Sequence, residues 1–74
     1  MGMKSTFVAT CMQLGGRVTA LRKLAGISQE ELAFRAEIDR TYVSQIERGV
    51  CNPSLLVICK VCNVLNANIS DLFD

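Results

Sequence analysis

The segment 40–48 has a stripe of polar side chains along one side when it is drawn as a helix at about 100° per residue. Val43 and Ile46, and less centrally Tyr42, point to the other side. The polar side contains no carboxylate and consists of Arg40, Thr41, Ser44, Gln45 and Arg48. Guanidinium, amide and hydroxyl groups donate hydrogen bonds that suit phosphate oxygens and base edges. The stripe is typical of a helix that binds DNA, and a solvated helix face is the alternative interpretation.

Charge is balanced overall but unevenly placed along the chain. Eight lysine and arginine residues stand against seven carboxylates, which gives a net charge of +1. Six of these cations and five of the carboxylates fall between residues 17 and 48. The basic side chains are thus concentrated around the polar stripe, although the resulting field is weaker than in many DNA-binding domains.

The length of 74 residues suits one small domain with a marginal core, because a chain of this size buries only about 60% of its unfolded surface. Half of the residues are hydrophobic, which leaves apolar surface for self-association. Charged or polar residues interrupt every apolar stretch, and residues 1–12 lack the apolar core of a signal peptide. We therefore expect no membrane segment, a cytoplasmic location and reduced thiols.

Apolar residues at helical spacing from Phe7 to Ala25 predict a first helix over about residues 14–25. Gly15 and Gly16 are poor helix formers, so an earlier start of this helix, near residue 5 or 6, is left open. We interpret residues 1–12 as an N-terminal extension that can hold the start of this helix. Residues 13–74 are interpreted as one domain.

Four further helices are predicted from residues that cap helix N-termini well. Glu31 follows the first of these caps by three residues, which is the capping-box pattern. The last cap precedes a final turn over Asp71–Asp74. The predicted caps are Ser28, Asp39, Ser54 and Ser70. The expected fold is a compact, all-α domain of five helices.

The turn between the second and third predicted helices is very short, since only Glu37 and Ile38 separate the end of one from the cap of the next. Two helices joined in this way must cross at a steep angle. Small side chains are needed where they meet, and Ala33 and Ala36 supply them.

Motifs spread over residues 14–73 resemble the Xre/Cro family of lambda-repressor-like helix-turn-helix proteins. The matching segments are Leu14-Gly15, Leu21-Arg22, Gly26-Ile27-Ser28-Gln29-Glu30-Glu31-Leu32-Ala33, Ile46-Glu47-Arg48-Gly49 and Asn52-Pro53-Ser54-Leu55. Within the family, Asp39-Arg40-Thr41-Tyr42-Val43-Ser44 followed by Ile46-Glu47-Arg48-Gly49 is similar to the controller proteins of restriction–modification systems. Those dimeric regulators bind palindromic operators and time expression of the endonuclease. The resemblance implies a lambda-repressor-like fold and a homodimeric transcriptional regulator of double-stranded operator DNA.

The resemblance also implies roles for single residues. The positions that read bases in the family are Arg40, Thr41 and Gln45. The positions that contact backbone phosphates are Gln29, Ser44, Arg48 and Asn52. Position in the helix agrees with this division, because the first turn of a recognition helix reaches deepest into the groove.

Two scaffold features follow from the same resemblance. The family pairs the positions of Arg22 and Glu47 in a salt bridge, which we interpret as structural. The family often has glycine in the interhelix turn, where this chain has Glu37. A left-handed conformation there costs a residue other than glycine roughly 1 kcal/mol or more.

Self-association is expected because one small monomer on a single half-site would bind too weakly at cellular salt. The apolar C-terminal residues have little of their own domain left to cover them. We therefore predict a two-fold interface. Its residues are Ile69, Leu72 and Phe73, joined by Val64 and Leu65.

The four cysteines are not expected to bind metal, and a redox role of Cys51 or of the Cys59/Cys62 pair is left open. Cys59 and Cys62 form a CxxC pattern, but zinc requires four ligands, and the chain has no histidine. A redox pair would lie at a helix start, whereas this pair lies in mid-helix. We interpret Cys62 as a core residue and Cys59 as partly buried. Cys51, in a loop beside the polar stripe, is the one cysteine that could be exposed and reactive.

Enzymatic activity is not expected, because the chain has no phosphate-cradling glycine loop and no nucleophile beside a base. No cofactor or small-molecule ligand is evident. The alternative class is an antitoxin-type or other protein-interaction module that uses the same domain. Phe34 lies off the apolar stripe of its helix and either contacts a partner or lies flat across neighbouring side chains.

Overall fold

The computed structural model describes residues 3–73. It contains α1 (Met3–Leu24), α2 (Gln29–Ala36), α3 (Arg40–Arg48) and α4 (Leu55–Leu65), followed by a 3-10 helix at Ile69–Leu72. No strand occurs within this range. The all-α helix-turn-helix fold predicted from the sequence is confirmed, but the count of five α-helices was wrong. The last predicted helix is a single turn of 3-10 helix.

Helix α1 runs unbroken through both glycines. A Cβ atom built on Gly15 would lie 2.5 Å from the carbonyl oxygen of Ile46 and 2.6 Å from that of Glu47. The same atom built on Gly16 would have no neighbour within 4 Å. Gly15 therefore lets the backbones of α1 and α3 touch, and this packing offsets its poor helix propensity.

One side of each helix contributes to a single core. Its buried members are Leu14, Val18, Leu32, Ala33, Val43, Ile46, Val61, Cys62 and Leu72. Ala33 and Ala36 are both buried, as predicted from the short turn. This core sets the positions of α2 and α3 relative to α1.

The turn between α2 and α3 closes with Glu37 in the left-handed conformation, at φ +58°. The N–H of Ile38 then donates to the carbonyl oxygen of Ala33 at 3.0 Å. The backbone strain predicted for Glu37 is thus present, and it lies at the C-terminal cap of α2.

Two of the predicted caps make the expected hydrogen bonds. The Ser28 hydroxyl accepts from the N–H of Glu31 at 3.0 Å, and the Ser54 hydroxyl accepts from the N–H of Val57 at 3.2 Å. Asp39 is the N-cap residue of α3, but its side chain makes no capping bond. Extended backbone at Asp39, rather than side-chain capping, therefore starts α3.

These differences lead to a stability prediction. Ser28→Ala should lower the free energy of unfolding by about 1 kcal/mol, because it leaves the Glu31 N–H without its acceptor. Asp39→Ala should cost clearly less, since no capping bond is lost. Urea denaturation of both variants checks this, and equal losses would contradict it.

The 3-10 helix starts earlier than predicted, because Asn68 and not Ser70 is its N-cap residue. The N–H of Asn68 donates to Oδ2 of Asp71 at 2.8 Å, which closes the turn. The predicted turn extended to Asp74, which lies outside the described residues.

Leu72 is fully buried, with 0% of its surface exposed. The turn that carries it folds back on α1, where Nε of Arg17 donates to the carbonyl oxygen of Asp71 at 2.8 Å. The prediction that Leu72 lies at a subunit interface was therefore wrong. A partner cannot reach this side chain, because its own domain already covers it.

Candidate nucleic-acid interface

Helix α3 has an apolar side in the core and a polar side outside. Val43 and Ile46 are buried and hold the helix against the domain. Arg40, Thr41 and Arg48 are exposed, and Ser44 and Gln45 are half-buried on the same polar side. The structure thus brings the predicted base-reading and phosphate-contacting residues of α3 onto one surface.

The one carboxylate of α3 belongs to Glu47, and it is turned away from that surface. Nε of Arg22 donates to its Oε2 at 2.6 Å, and Nη2 of Arg22 donates to its Oε1 at 3.1 Å. The side chains of Arg22 and Glu47 are only 12% and 5% exposed. The sequence-predicted pair is thus brought together in a two-pronged ion pair between α1 and the last turn of α3.

The two predicted phosphate-contacting residues outside α3 have different surroundings. Gln29 is the first residue of α2 and is half-buried. Its Nε2 donates to Oε1 of Glu47 at 2.9 Å, a bond that the sequence analysis missed. Asn52 is exposed in the loop that follows α3. Within α3 itself, Nε of Arg48 approaches the carbonyl oxygen of Ser44 at 3.4 Å.

The environment of Glu47 favours its charged form. Burial acts to raise the pKa of the Glu47 carboxyl, but hydrogen bonds from Arg22 and Gln29 and the charge of Arg22 outweigh it, so this pKa is lowered. The hydrogen bond to Glu47 raises the pKa of Arg22, although burial opposes it. The pair is therefore ionised at neutral pH, even though a carboxylate at a helix C-terminus is disfavoured by the helix dipole.

Acid should remove the stabilisation that the ionised Glu47 carboxylate gives to the fold. A carboxyl whose pKa is lower in the folded than in the unfolded protein stabilises the fold above its unfolded pKa, and the effect is lost as pH falls through its folded pKa. Glu47→Gln should therefore be less stable than wild type at pH 7, and the difference should shrink below about pH 4.3. Urea denaturation across this pH range measures the difference.

Glu31→Gln is a matched control, because Glu31 also accepts from an arginine, Arg35, but on the exposed surface of α2. Exposed pairs contribute little, so this variant should stay within a few tenths of a kcal/mol of wild type. If the difference in the free energy of unfolding between wild type and Glu47→Gln does not change with pH, the pKa of Glu47 is not lowered by folding.

The cysteines differ in part from the sequence prediction. Cys62 is buried as predicted, but Cys59 is exposed rather than partly buried. Cys51 is half-buried, and burial raises the pKa of its thiol, with a smaller contribution from Cys11. A thiol with a raised pKa is less often a thiolate, which disfavours reactivity at Cys51.

The described part of the chain has neither a metal-binding cluster nor a membrane-spanning helix. No group of three or more cysteine, aspartate or glutamate side chains in this part of the chain is arranged to hold a metal ion. Between residues 3 and 73, no helix is long and apolar enough to cross a bilayer. Phe34 is 80% exposed, which contradicts the interpretation that it lies flat across its neighbours.

The chain is similar in sequence to known helix-turn-helix proteins. The sequence profile of the helix-turn-helix family HTH_3 matches residues 18–72. The control protein C.BamHI from Bacillus amyloliquefaciens is 43% identical over 61 residues, which cover 81% of this chain and 75% of that protein.

Solved structures of helix-turn-helix regulators are also similar to this chain. The restriction-modification controller protein C.AhdI from Aeromonas hydrophila superposes with a TM-score of 0.84 and 42% identity, over 88% of this chain and 98% of that one. The structure of SinR from Bacillus subtilis in complex with DNA superposes with a TM-score of 0.78 and 39% identity, over 82% of this chain and 98% of that one. The resemblance inferred from the sequence motifs is confirmed: the chain belongs to the helix-turn-helix family of DNA-binding transcriptional regulators.

Proposed function

We propose that the protein is a sequence-specific transcriptional regulator that binds a palindromic operator as a homodimer and controls a restriction–modification system. The observation that carries the proposal is the outer side of α3, which is polar, free of carboxylates and held outward by Val43 and Ile46. The similarity to C.BamHI and C.AhdI, both named as control proteins, supports the link to restriction–modification.

In this proposal α3 enters the major groove with its N-terminal turn foremost. Arg40 and Thr41 occupy that turn, and Gln45 follows one turn later, so these three residues face the base edges. Guanidinium and amide groups can make paired hydrogen bonds to guanine and adenine. The surrounding phosphates are contacted by Gln29, Ser44, Arg48 and Asn52.

The proposed dimer uses the apolar surface around the 3-10 helix. Ile69 and Phe73 are 40% and 38% exposed, and the half-buried Val64 and Leu65 lie at the end of the preceding helix. Covering such side chains with a second copy would bury apolar area that water otherwise contacts. A two-fold dimer on a palindrome would set the two copies of α3 about one DNA turn, roughly 34 Å, apart.

The dimer leads to a prediction about single substitutions. Phe73→Glu should give a monomer at micromolar concentration, because it places a charge in the apolar interface. Phe34→Glu is the matched control, since it makes the same change at an exposed phenylalanine of α2 that is not among the proposed interface residues. Sedimentation measures both, and a Phe73→Glu protein that remains a dimer would contradict the proposed interface.

The proposed function is tested with the DNA upstream of the chain's own coding sequence. The protein should retard this fragment at concentrations that leave an unrelated fragment of equal length unbound. Equal retardation of both fragments would contradict sequence-specific regulation. Recovery of a stoichiometric protein partner from the native host, without preference for this DNA, would instead favour an antitoxin-type interaction module.

A further inference from the structure

The Glu47 carboxylate connects three parts of the domain. It accepts hydrogen bonds from Arg22 on α1 and from Gln29 at the start of α2, while Glu47 itself lies in the last turn of α3. Arg22 also donates from Nη1 to the carbonyl oxygen of Ile27 at 2.9 Å. Ile27 is the residue just before the N-cap of α2. The network therefore ties the beginning of α2 to the end of α3.

The bond to Glu47 determines which way the Gln29 amide faces. An ionised carboxylate can only accept hydrogen bonds, so the nitrogen of the Gln29 amide must face it. An amide nitrogen carries two hydrogens, and one of them points at Oε1 of Glu47. The second hydrogen is available to another acceptor, and Gln29 is only half-buried.

We propose that Glu47 is a positioning residue for DNA binding: it holds the Gln29 amide in the orientation that donates to a backbone phosphate. The inference rests on the proposed function, which places Gln29 at a phosphate. A side chain that is already ordered in the free protein loses less conformational entropy when DNA binds. Because Glu47 is part of α3, the same bond also sets the phosphate-contacting amide at a constant distance from the base-reading residues.

Glu47→Gln tests the positioning role, with Glu31→Gln as its charge-matched control. Each substitution removes one carboxylate, so general electrostatics should strengthen DNA binding slightly in both variants. Only Glu47→Gln disturbs the Gln29 amide, because the new amide group cannot accept at both oxygen positions. Glu47→Gln should weaken operator binding about tenfold, the usual order for a hydrogen bond to a charged group, and Glu31→Gln should not weaken it.

A double-mutant cycle distinguishes positioning from loss of stability. Gln29→Ala should weaken binding about tenfold on specific and unrelated DNA alike, with an unchanged salt slope, because a neutral donor releases no counterion. In the Glu47→Gln background, Gln29→Ala should have little further effect, since the two residues act through one contact. Binding is measured by fluorescence anisotropy at a temperature where circular dichroism shows every variant folded.

Four results would overturn the inference. The first is an equal change of affinity in Glu47→Gln and Glu31→Gln. The second is an effect of Gln29→Ala that is the same in both backgrounds. If Glu47→Gln does not fold, an unchanged affinity in Gln29→Ala, which leaves the Arg22 pair intact, would still overturn the inference. If the wild-type protein binds operator and unrelated DNA equally, the proposed function is wrong, and the inference that rests on it is overturned as well.

Discussion

Gly15→Ala should destabilise the domain by about 3 kcal/mol, which is the upper end of the usual cost of overpacking. The added methyl group would lie 2.5 Å and 2.6 Å from two backbone oxygens at the end of α3. Backbone atoms cannot turn aside as a flexible side chain can, so α1 and α3 must separate. A core of this size supplies only about 3–5 kcal/mol, and a large fraction of the variant should therefore be unfolded at 37 °C.

Gly16→Ala is the control for this prediction. It makes the same chemical change one residue later in α1, where no atom beyond the adjacent backbone of the same helix lies within 4 Å of the new methyl group. Alanine is a better helix former than glycine, so this variant should be more stable than wild type by up to about 1 kcal/mol. Thermal denaturation followed by circular dichroism measures both variants. Similar melting temperatures for the two would contradict the close approach of α1 and α3.

The contrast between these glycines shows what one sequence can and cannot predict. Helix propensity predicts the same effect for Gly15 and Gly16, namely that each destabilises α1. The structure separates them, because only one of them faces α3. That distinction depends on which backbone lies opposite a residue, and periodicity within a single helix does not contain this information.

Strong local signals predicted α2, α3 and α4 well, whereas α1 starts at Met3, well before the range predicted for it. The Ser28 and Ser54 caps, the short turn at Glu37 and the buried alanines depend on chemistry within a few residues. The C-terminal turn was less predictable. A four-residue segment is too short to show which side is apolar, so Leu72 and Phe73 looked equivalent, although only Leu72 is buried.

The candidate site was predictable in its polar stripe and its ion pair, but not in its internal bonds. The outward side of α3 follows from helical spacing around Val43 and Ile46. The bond from Gln29 to Glu47 joins residues that are 18 positions apart, and no local pattern indicates it. Arg17 was missed for a similar reason, since its partner is a backbone carbonyl that any residue type could supply.

Arg40→Ala should weaken operator binding by about 1–3 kcal/mol and flatten discrimination at one base pair in each half-site. Arg40 is exposed at the first position of α3, the end of the helix that the proposed orientation places deepest in the major groove. Its guanidinium can donate to both major-groove acceptors of guanine, so the lost preference should be for a G·C pair. Loss of this contact affects the specific sequence far more than unrelated DNA.

Arg48→Ala provides the contrast, because it removes an arginine from the same helix at its opposite end. Arg48 is exposed in the last turn of α3, and the proposed orientation puts it at the phosphate backbone. Its loss should weaken binding to all sequences about equally. The slope of log affinity against log salt should fall by about one unit per monomer, since one fewer phosphate is neutralised.

The most direct test is competition binding of wild type, Arg40→Ala and Arg48→Ala to a set of operators with single base-pair changes, at several salt concentrations. The proposed placement of α3 predicts that Arg40→Ala loses discrimination at one symmetric pair of positions. It predicts that Arg48→Ala keeps the full base preference and has a smaller salt dependence than wild type. The opposite result, relaxed preference in Arg48→Ala and intact preference in Arg40→Ala, would contradict the entry of α3 into the groove by its N-terminal turn.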